Sequence, residues 1–270
     1  MADRKLNRDF VTLLKTAHEL ADLSGPAVLK HFRKPISIEN KAGPGGYDPV
    51  TKADRAAERI ISQTLKRDYP DHGLIGEEYG TRTPNGRFQW VVDPIDGTRA
   101  YIMGSPLWGT LIGLLDGGDP VLGLMDQPFT GERVWSAEKA SYLRLRGSAP
   151  KKIRSRSCGS LGDAILTSTH PDLFEGPRQQ QALLKLKSSV RMTRYGGDCY
   201  GYALLAAGFV DLIVEAGLKT FDIMPLIPII ERAGGVVTTW DGKPASGGGN
   251  IIAAGDARVH EAAMRLIARV

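Results

Sequence analysis

The sequence predicts a protein with an α+β half followed by an α/β half, stacked as layers. Two observations lead to this fold class. Helical periodicity comes before a block of short β-like runs in the first part of the chain, whereas β-like and helical segments alternate after residue 160. A chain of 270 residues, 42% of them hydrophobic, can bury cores of that size. We therefore divide the chain into halves at residues 1–145 and 146–270.

Two amphipathic helices are predicted at the start. Residues 7–33 place their apolar side chains on one stripe, with Pro26 kinking or dividing the helix. The second helix begins at Thr51 and ends before Pro70. The segment 39–49 between them has too many glycines and prolines for regular structure, so we expect a loop with a mobile tip.

Short β-like runs fill the rest of the first half and favour an antiparallel sheet packed on the two helices. They are GLIG, FQWVV, LWGTLIGLL, PVLGLM, ERVWSA and YLRL. The strand candidates of the second half are DAILTST, VRMTRYG, FVDLIVE, GVVTTW and NIIAAG. The helix candidates are RQQQALLKLK, DCYGYALLAAG, DIMPLIPIIERAGG and DARVHEAAMRLIAR, the last with Asp256 as its N-cap.

Composition excludes several classes of protein. Two cysteines without metal-ligand spacing indicate neither a disulfide framework nor a zinc site. The first residues lack an apolar signal region, and Asp211 and Glu215 break the most apolar segment, so we expect a cytoplasmic protein that does not enter membranes. The net charge of +5 is modest, and its densest basic stretch, KKIRSRS from Lys151, could attract nucleic acid or an anionic substrate. A solvated loop is the other interpretation, and the absence of interleaved aromatic residues favours it.

The stretch WVVDPIDGT carries the chemistry. An apolar run ends at Asp93, Pro94 fixes the chain direction, and Gly97 is free to adopt unusual dihedral angles. The turn can therefore bring Asp93, Asp96 and the Ile95 carbonyl toward one point. Such hard oxygen ligands suit Mg²⁺. The alternative is an ordinary tight turn, because Asp-Pro and Asp-Gly are common turn dipeptides.

Neighbouring signals strengthen the metal interpretation. Gly97 and Thr98 fall at a predicted helix start, where free N–H groups favour an anion such as phosphate. Glu77 follows a short apolar run and Asp222 begins an apolar helix, so both could complete a metal shell. A solvated loop acid is the alternative for Glu77, and a helix N-cap is the alternative for Asp222.

Together, GEE at 76–78, WVVDPIDGTRAY at 90–101 and FD at 221–222 resemble the inositol monophosphatase family of Mg²⁺-dependent, lithium-sensitive phosphomonoesterases. The resemblance covers nearly the whole chain in order, including DPVTKAD and ALLAAGFVDLIVEAG. It implies a layered αβαβα sandwich and a homodimer. In the family the second signature usually begins Trp-Asp followed by two alanines, whereas this chain reads Phe-Asp-Ile-Met-Pro, so the packing behind the ligand differs.

The resemblance also implies roles for individual residues. Two or three Mg²⁺ ions would be bound by Glu77, Asp93, the Ile95 carbonyl, Asp96 and Asp222. Gly97 and Thr98 would hold the phosphate. Glu77, Thr98 and Asp54 would be catalytic, the last two orienting and deprotonating a metal-bound water. Lys41 lies where the family places a lysine near the metals.

Asp54 has a second interpretation, because Thr51-x-x-Asp54 is similar to a capping box with Asp in place of Glu. One residue could serve both purposes. The five histidines occur singly, and His18 and His260 are predicted on helix surfaces, so we expect no nucleophilic side chain. The implied mechanism is in-line attack by metal-activated water on a phosphomonoester, with no covalent phospho-enzyme.

The leaving alcohol is contacted in the family at positions that match Asp198 and Glu215 here. Two acids would suit a cationic group. Asp198 could instead be a helix N-cap, and Glu215 could end a strand and meet solvent. The segments YDPVTKADRAAE, LWGTLIGLL, MDQPFTGERVW and STHPDLF are similar to the family branch that dephosphorylates L-histidinol phosphate.

Other functions remain open from the sequence. One is a broad inositol 1-phosphate phosphatase. A bisphosphate-nucleotide or fructose-bisphosphate phosphatase would need an extra basic pocket, for which the sequence offers no clear candidate. A regulator that binds RNA or polymerase is the alternative from another class, although such a module would not require all five metal-shell positions. We expect a small-molecule substrate and no nucleic-acid partner.

Overall fold

The computed structural model describes the backbone of residues 2–41 and 48–270, with side chains from residue 9 onward over the same ranges. The predicted mobile tip of the glycine-rich loop falls at residues 42–47, outside the described residues. The α-helices are α1 (Ala2–Leu29), α2 (Lys52–Asp68), α3 (Thr98–Met103), α4 (Pro177–Ser189), α5 (Asp198–Ala206), α6 (Thr220–Ile223), α7 (Ile227–Arg232) and α8 (Ala257–Ile267).

The described strands are distributed over both halves of the chain. In the first half they are β1 (Ile38–Asn40), β2 (Pro49–Thr51), β3 (Gly73–Gly76), β4 (Gly80–Arg82), β5 (Phe88–Asp96), β6 (Gly109–Asp116), β7 (Asp119–Gln127), β8 (Glu132–Ser136), β9 (Ser141–Arg144) and β10 (Lys151–Ile153). In the second half they are β11 (Ile165–Ser168), β12 (Met192–Tyr195), β13 (Leu212–Leu218), β14 (Val236–Thr239) and β15 (Gly249–Ala254).

In the part of the chain that the structure describes, the strands form two large sheets, and β1 and β2 form a separate antiparallel pair. The first large sheet has the strand order β10-β9-β8-β7-β6-β5-β3-β4 and the second has β12-β11-β13-β15-β14. The first sheet was predicted to be antiparallel, and this is wrong at one place, because β3 and β5 run parallel. Because these two strands are parallel, their carboxyl ends lie at the same edge of the sheet, and residues of the site are found there. In the second sheet β11 is parallel to both of its neighbours.

The layers follow the predicted αβαβα sandwich. Helices α1 and α2 cover one face of the first sheet through a core that contains Leu20, Ile61 and Trp90. The other face packs, through α5 and α7, against the second sheet, with Leu205 and Ile230 in the shared core. Helices α4 and α8 close the outer face of the second sheet.

Three predicted elements differ from the structure. The first helix was predicted over residues 7–33, but α1 spans Ala2–Leu29 and is not divided at Pro26. DIMPLIPIIERAGG was predicted as one helix, but it is α6, a 3₁₀ turn at Met224–Leu226 and α7, because Pro225 and Pro228 interrupt the helical hydrogen bonds. The KKIRSRS segment is not simply a solvated loop. Its first three residues form β10 at the sheet edge, and Arg156 is bonded to the buried carboxylate of Asp211, with Nε 3.0 Å from Oδ1.

The predicted surface positions of two histidines are also corrected. His260 is only 8% exposed, and its Nε2 lies 2.9 Å from the hydroxyl oxygen of Thr238. His18 is half-buried, with Nδ1 3.2 Å from an Nη atom of Arg133. Both rings therefore belong to the interior packing of their helices.

The proposed division of the chain at residue 145 remains a prediction. The first sheet continues beyond it, because β10 pairs with β9. Within the described residues, no helix combines the length and apolar character that crossing a membrane requires.

Candidate metal centre and active site

The first residues of α2 place a carboxylate at the site. Asp54 is fully buried, and its Oδ2 accepts hydrogen bonds from the Thr51 N–H (2.9 Å) and hydroxyl (2.6 Å). The predicted capping box is confirmed. Oδ1 of the same carboxylate lies 3.5 Å from Oγ1 of Thr98, so Asp54 serves as a cap and faces the site. Burial raises the pKa of Asp54 to about 6.

Strand β5 runs past Asp93, where it was predicted to end, and continues to Asp96. The pairing with β6 shifts register between these two aspartates, which turns both toward the site. Oδ1 of Asp93 accepts the N–H of Ile95 at 3.0 Å, and the Pro94 carbonyl accepts the hydroxyl of Thr110 at 2.8 Å. These bonds fix the loop independently of any ligand.

Three carboxylates converge at this point. Oxygen atoms of Asp93, Asp96 and Asp222 all lie within 4.8 Å of one another. Asp222 is the third residue of α6 and accepts the N–H of Lys219 at 2.7 Å, so it supports the helix start without being its N-cap. Burial raises the pKa of Asp93 and Asp96 well above the ordinary value. The charges of neighbouring acids raise it further, chiefly that of Glu77 for Asp93 and that of Asp198 for Asp96.

Glu77 follows β3 directly and lines the same cleft as these three carboxylates. Its N–H bonds to the Val92 carbonyl at 3.3 Å, which fixes it beside β5, and its charge raises the pKa of Asp93. Nζ of Lys41 donates to Glu77 at 2.7 Å and to Glu78 at 2.8 Å. The Glu77 side chain is 11% exposed, so the solvated loop acid was the wrong interpretation.

The predicted ligands therefore fit a hard divalent cation. The predicted ligands are carboxylates and the Ile95 carbonyl, which accepts the Thr98 hydroxyl at 3.0 Å and retains a second lone pair. Burial and the charges of neighbouring acids hold the pKa of Asp93 and Asp96 high. A bound cation would relieve both effects.

Asp198 borders the same cleft. It is the first residue of α5, after the N-cap Gly197, so the prediction that it could be an N-cap was wrong. Its φ of 42° lies in the left-handed region, which is uncommon for a residue other than glycine. A Cβ at Gly97, whose φ is 90°, would lie 3.2 Å from the Cβ of Asp198. Burial raises the pKa of Asp198 to about 6, although the charge of Arg99 lowers it.

Glu215 lies behind the cleft. It is 1% exposed within β13, so the alternative of a solvent-facing strand end is wrong. Its Oε1 accepts the N–H (2.7 Å) and hydroxyl (3.0 Å) of Thr169, and Thr169 is the residue that borders the cleft. Burial raises the pKa of Glu215 to about 8. Glu215 therefore holds Thr169 in place.

Several residues that line the cleft of about 200 Å³ had no predicted role in the site. They are Asp48, Thr169, Leu173, Lys219 and Phe221. Two signals could have identified some of them. Thr169 follows β11, and residues after parallel strands meet at one sheet edge. Lys219 and Phe221 lie within three residues of Asp222.

Comparison with known proteins agrees with this geometry. The inositol monophosphatase family model matches residues 9–270. The chloroplastic bifunctional phosphatase IMPL2 of Arabidopsis thaliana is 40% identical over 275 residues, covering 98% of this chain and 76% of that protein. The histidinol-phosphatase of Mycobacterium tuberculosis is 35% identical over 206 residues, covering 76% and 79%. A solved inositol monophosphatase from Zymomonas mobilis superposes with a TM-score of 0.83 at 39% identity, covering 96% and 98%.

The layered fold and buried acidic cleft define a phosphoric monoester hydrolase that acts on small molecules. The chain belongs to the inositol monophosphatase family. Enzymes of this family are generally metal-dependent, typically on Mg²⁺. The resemblance found in the sequence is thereby confirmed, as are the fold class and the enzyme class.

Proposed function

We propose that this enzyme hydrolyses L-histidinol phosphate with Mg²⁺. The observation that carries the proposal is Asp198, a partly buried acid held beside Gly97 on the wall of the cleft. L-Histidinol phosphate carries an ammonium group and an imidazole ring. A carboxylate at short range favours such a cation by a charge-assisted bond, whereas a neutral polyol gains only ordinary hydrogen bonds. Similarity to the mycobacterial histidinol-phosphatase supports the same substrate.

Different residues of the cleft would bind the metal ions and the phosphate. Two or three Mg²⁺ ions would be held by Glu77, Asp93, the Ile95 carbonyl, Asp96 and Asp222. When bound, the ions would lower the pKa of water and neutralise charge on the phosphate. Gly97 and Thr98 would hold the phosphate at the start of α3.

Thr98 and Asp54 would move the proton. The attacking water would give a proton to Oγ1 of Thr98 while that hydroxyl gives its own proton to Oδ1 of Asp54, 3.5 Å away. The pKa of Asp54, raised by burial to about 6, suits a base that works near neutral pH. The reaction would need no covalent phospho-enzyme.

The test compares kcat/KM for L-histidinol phosphate and inositol 1-phosphate in the presence of Mg²⁺. Asp93→Asn is the blank and Asp198→Asn is the probe, because asparagine keeps the shape of aspartate and tolerates its left-handed φ. We expect histidinol phosphate to lead by at least about tenfold, which is roughly 1.4 kcal/mol of transition-state preference. Asp198→Asn should remove that lead while leaving inositol phosphate hydrolysis nearly unchanged.

Inositol 1-phosphate is the second candidate substrate, because the Zymomonas mobilis inositol monophosphatase is also 39% identical to this chain. A lead for inositol phosphate that survives Asp198→Asn would overturn the histidinol phosphate proposal. We also propose a cytoplasmic homodimer, which light scattering and cell fractionation would test.

A further inference from the structure

Glu58 is a buried carboxylate that takes no part in the proposed mechanism. It lies on α2, four residues after Asp54, so both acids share one face of that helix. Its residue is 0% exposed, and among the described ion pairs it has no cationic partner. Burying a charge without a cation is costly, so the contacts that compensate Glu58 are informative.

Glu58 accepts two backbone hydrogen bonds from the turn that carries Glu77. Its Oε2 lies 2.8 Å from the N–H nitrogen of Glu78, and its Oε1 lies 3.0 Å from that of Tyr79. Bonds from N–H groups to a carboxylate are stronger than those to a neutral acceptor. The carboxylate therefore lies under the turn and holds its two consecutive amides.

The chain before the turn is shaped around the same carboxylate. A Cβ at Gly76 would overlap with Oε1 of Glu58, so only glycine lets β3 pass this close. After the turn, the Tyr79 hydroxyl oxygen lies 3.2 Å from the Arg55 carbonyl and 3.1 Å from a guanidinium nitrogen of Arg59. Helix α2 thus contacts the turn on both sides of Glu77.

We infer that Glu58 is a positioning residue, which holds the Glu77 turn on α2 so that the Glu77 carboxylate reaches the cation shared with Asp93. Lys41 bonds the two acidic side chains of the turn, whereas Glu58 binds its backbone. Helix α2 therefore positions Asp54 directly and positions Glu77 through Glu58. This inference rests on the proposed function, because it takes Glu77 as an Mg²⁺ ligand.

The test uses Glu58→Gln, which keeps the volume but replaces one acceptor with an NH₂ group that faces an N–H. The matched control is Asp211→Asn, because Asp211 is also a buried acid that accepts a backbone N–H, from Ile165 at 2.7 Å. Its partners do not line the cleft. Ile165 belongs to the second sheet, and Arg156 lies in the segment that precedes that sheet. If Glu58→Gln does not fold, Glu58→Asp takes its place and shortens the carboxylate by one methylene.

Two readouts separate positioning from general destabilisation. In metal-free protein, hydrogen exchange at the Glu78 and Tyr79 amides should accelerate by about tenfold or more in the Glu58 variant and not in the control. In a titration followed by thermal shift, the Mg²⁺ concentration at half-saturation should rise by about tenfold in the Glu58 variant alone. Activity at saturating Mg²⁺ should change much less.

The outcomes distinguish the two proposals. Unchanged amide exchange, or a half-saturation no higher than that of Asp211→Asn, would overturn the positioning role while leaving the proposed function standing. A wild-type protein that binds no Mg²⁺ would overturn the proposed function and this inference with it.

Discussion

The carboxylate of Asp54 lies 3.5 Å from the hydroxyl of Thr98, measured from Oδ1 to Oγ1, although 44 residues separate the two in sequence. The other oxygen of Asp54 is occupied by Thr51. One carboxylate therefore connects the start of α2 to the start of α3. This contact limits how far apart the starts of the two helices can lie.

Asp54→Asn and Thr98→Ala should lower kcat by similar factors, about 10² to 10⁴, because each interrupts one proton path. The two losses should not multiply in the double variant, since residues that act as a unit lose their effect together. Steady-state kinetics of both single variants and the double variant checks this. Losses that multiply would show that the two residues act separately.

The two single variants should lose different amounts of unfolding free energy. Asp54→Asn weakens the capping box as well as the site, so it should cost about 1 kcal/mol of unfolding free energy. Thr98 is not an N-cap, so Thr98→Ala should cost less. Urea unfolding of the metal-free proteins makes the comparison, and equal costs would contradict the double role of Asp54.

Magnesium should stabilise the folded enzyme by occupying the cluster of Asp93, Asp96 and Asp222. A ligand at 100 times its Kd adds about 2.7 kcal/mol. We expect Mg²⁺ to raise the Tm of the wild type and EDTA to reverse the rise. Asp93→Asn should lose the rise, yet its metal-free form should be no less stable than the wild type, because one like charge has been removed.

The charge-matched control is Glu261→Gln on the surface of α8, which should keep the full Mg²⁺-dependent rise. A rise of the same size in Asp93→Asn would place the cation elsewhere.

The sequence predicted the elements that local patterns encode. The apolar run into Asp93 and the cap at Asp256 depend on a few adjacent residues, and both are found in the structure. The broken helix was predictable as well, because Pro225 and Pro228 were visible. Strand β10 was not, since three residues with two lysines show no strand periodicity.

The candidate site was harder to derive from local pattern. The DPIDG loop brings Asp93 and Asp96 together over three residues, but Glu77 and Asp222 join them only through the folded sheets. Their local sequence made both only possible ligands, and the family resemblance assigned them to this site. The left-handed φ of Asp198 and the burial of Glu215 behind Thr169 depend on tertiary packing, and no sequence signal indicated either.

His18 should make stability depend on pH. Burial, and then the charge of Arg133, lower its pKa from 6.5 to about 4. The unfolded chain therefore takes up a proton near pH 6.5 while the folded protein does not, so this contribution to stability is present above 6.5 and is lost as pH falls toward 4. Since the ring is partly exposed, we expect a loss of only about 1–2 kcal/mol.

The glutamine of His18→Gln cannot be protonated in this pH range, so the variant should not lose this part of its stability as pH falls. Thermal unfolding of both proteins between about pH 7.5 and pH 4.5 isolates the effect, because every other titrating group is common to the two. The Tm of the wild type should fall further than that of the variant by about 3–6 °C. Parallel curves would show that His18 titrates normally in the folded protein.

Gly123 allows the 3₁₀ turn that follows Asp222 and α6 to pack closely on the first sheet. A Cβ at this position of β7 would overlap with the carbonyl oxygen of Pro225, three residues after Asp222. The obstacle is backbone, so a side-chain rotation cannot relieve it. Gly123→Ala should therefore displace the 3₁₀ turn and cost about 3 kcal/mol or more.

Gly159→Ala is the matched control, because a Cβ there meets nothing within 4 Å, and it should leave Tm nearly unchanged. The two costs can be measured by thermal and urea unfolding. The displacement should also reach the metal centre, since Asp222 and Pro225 belong to one short segment. If Gly123→Ala folds, its Mg²⁺ half-saturation should therefore rise, whereas normal stability with normal Mg²⁺ affinity would mean that the turn can shift without moving Asp222.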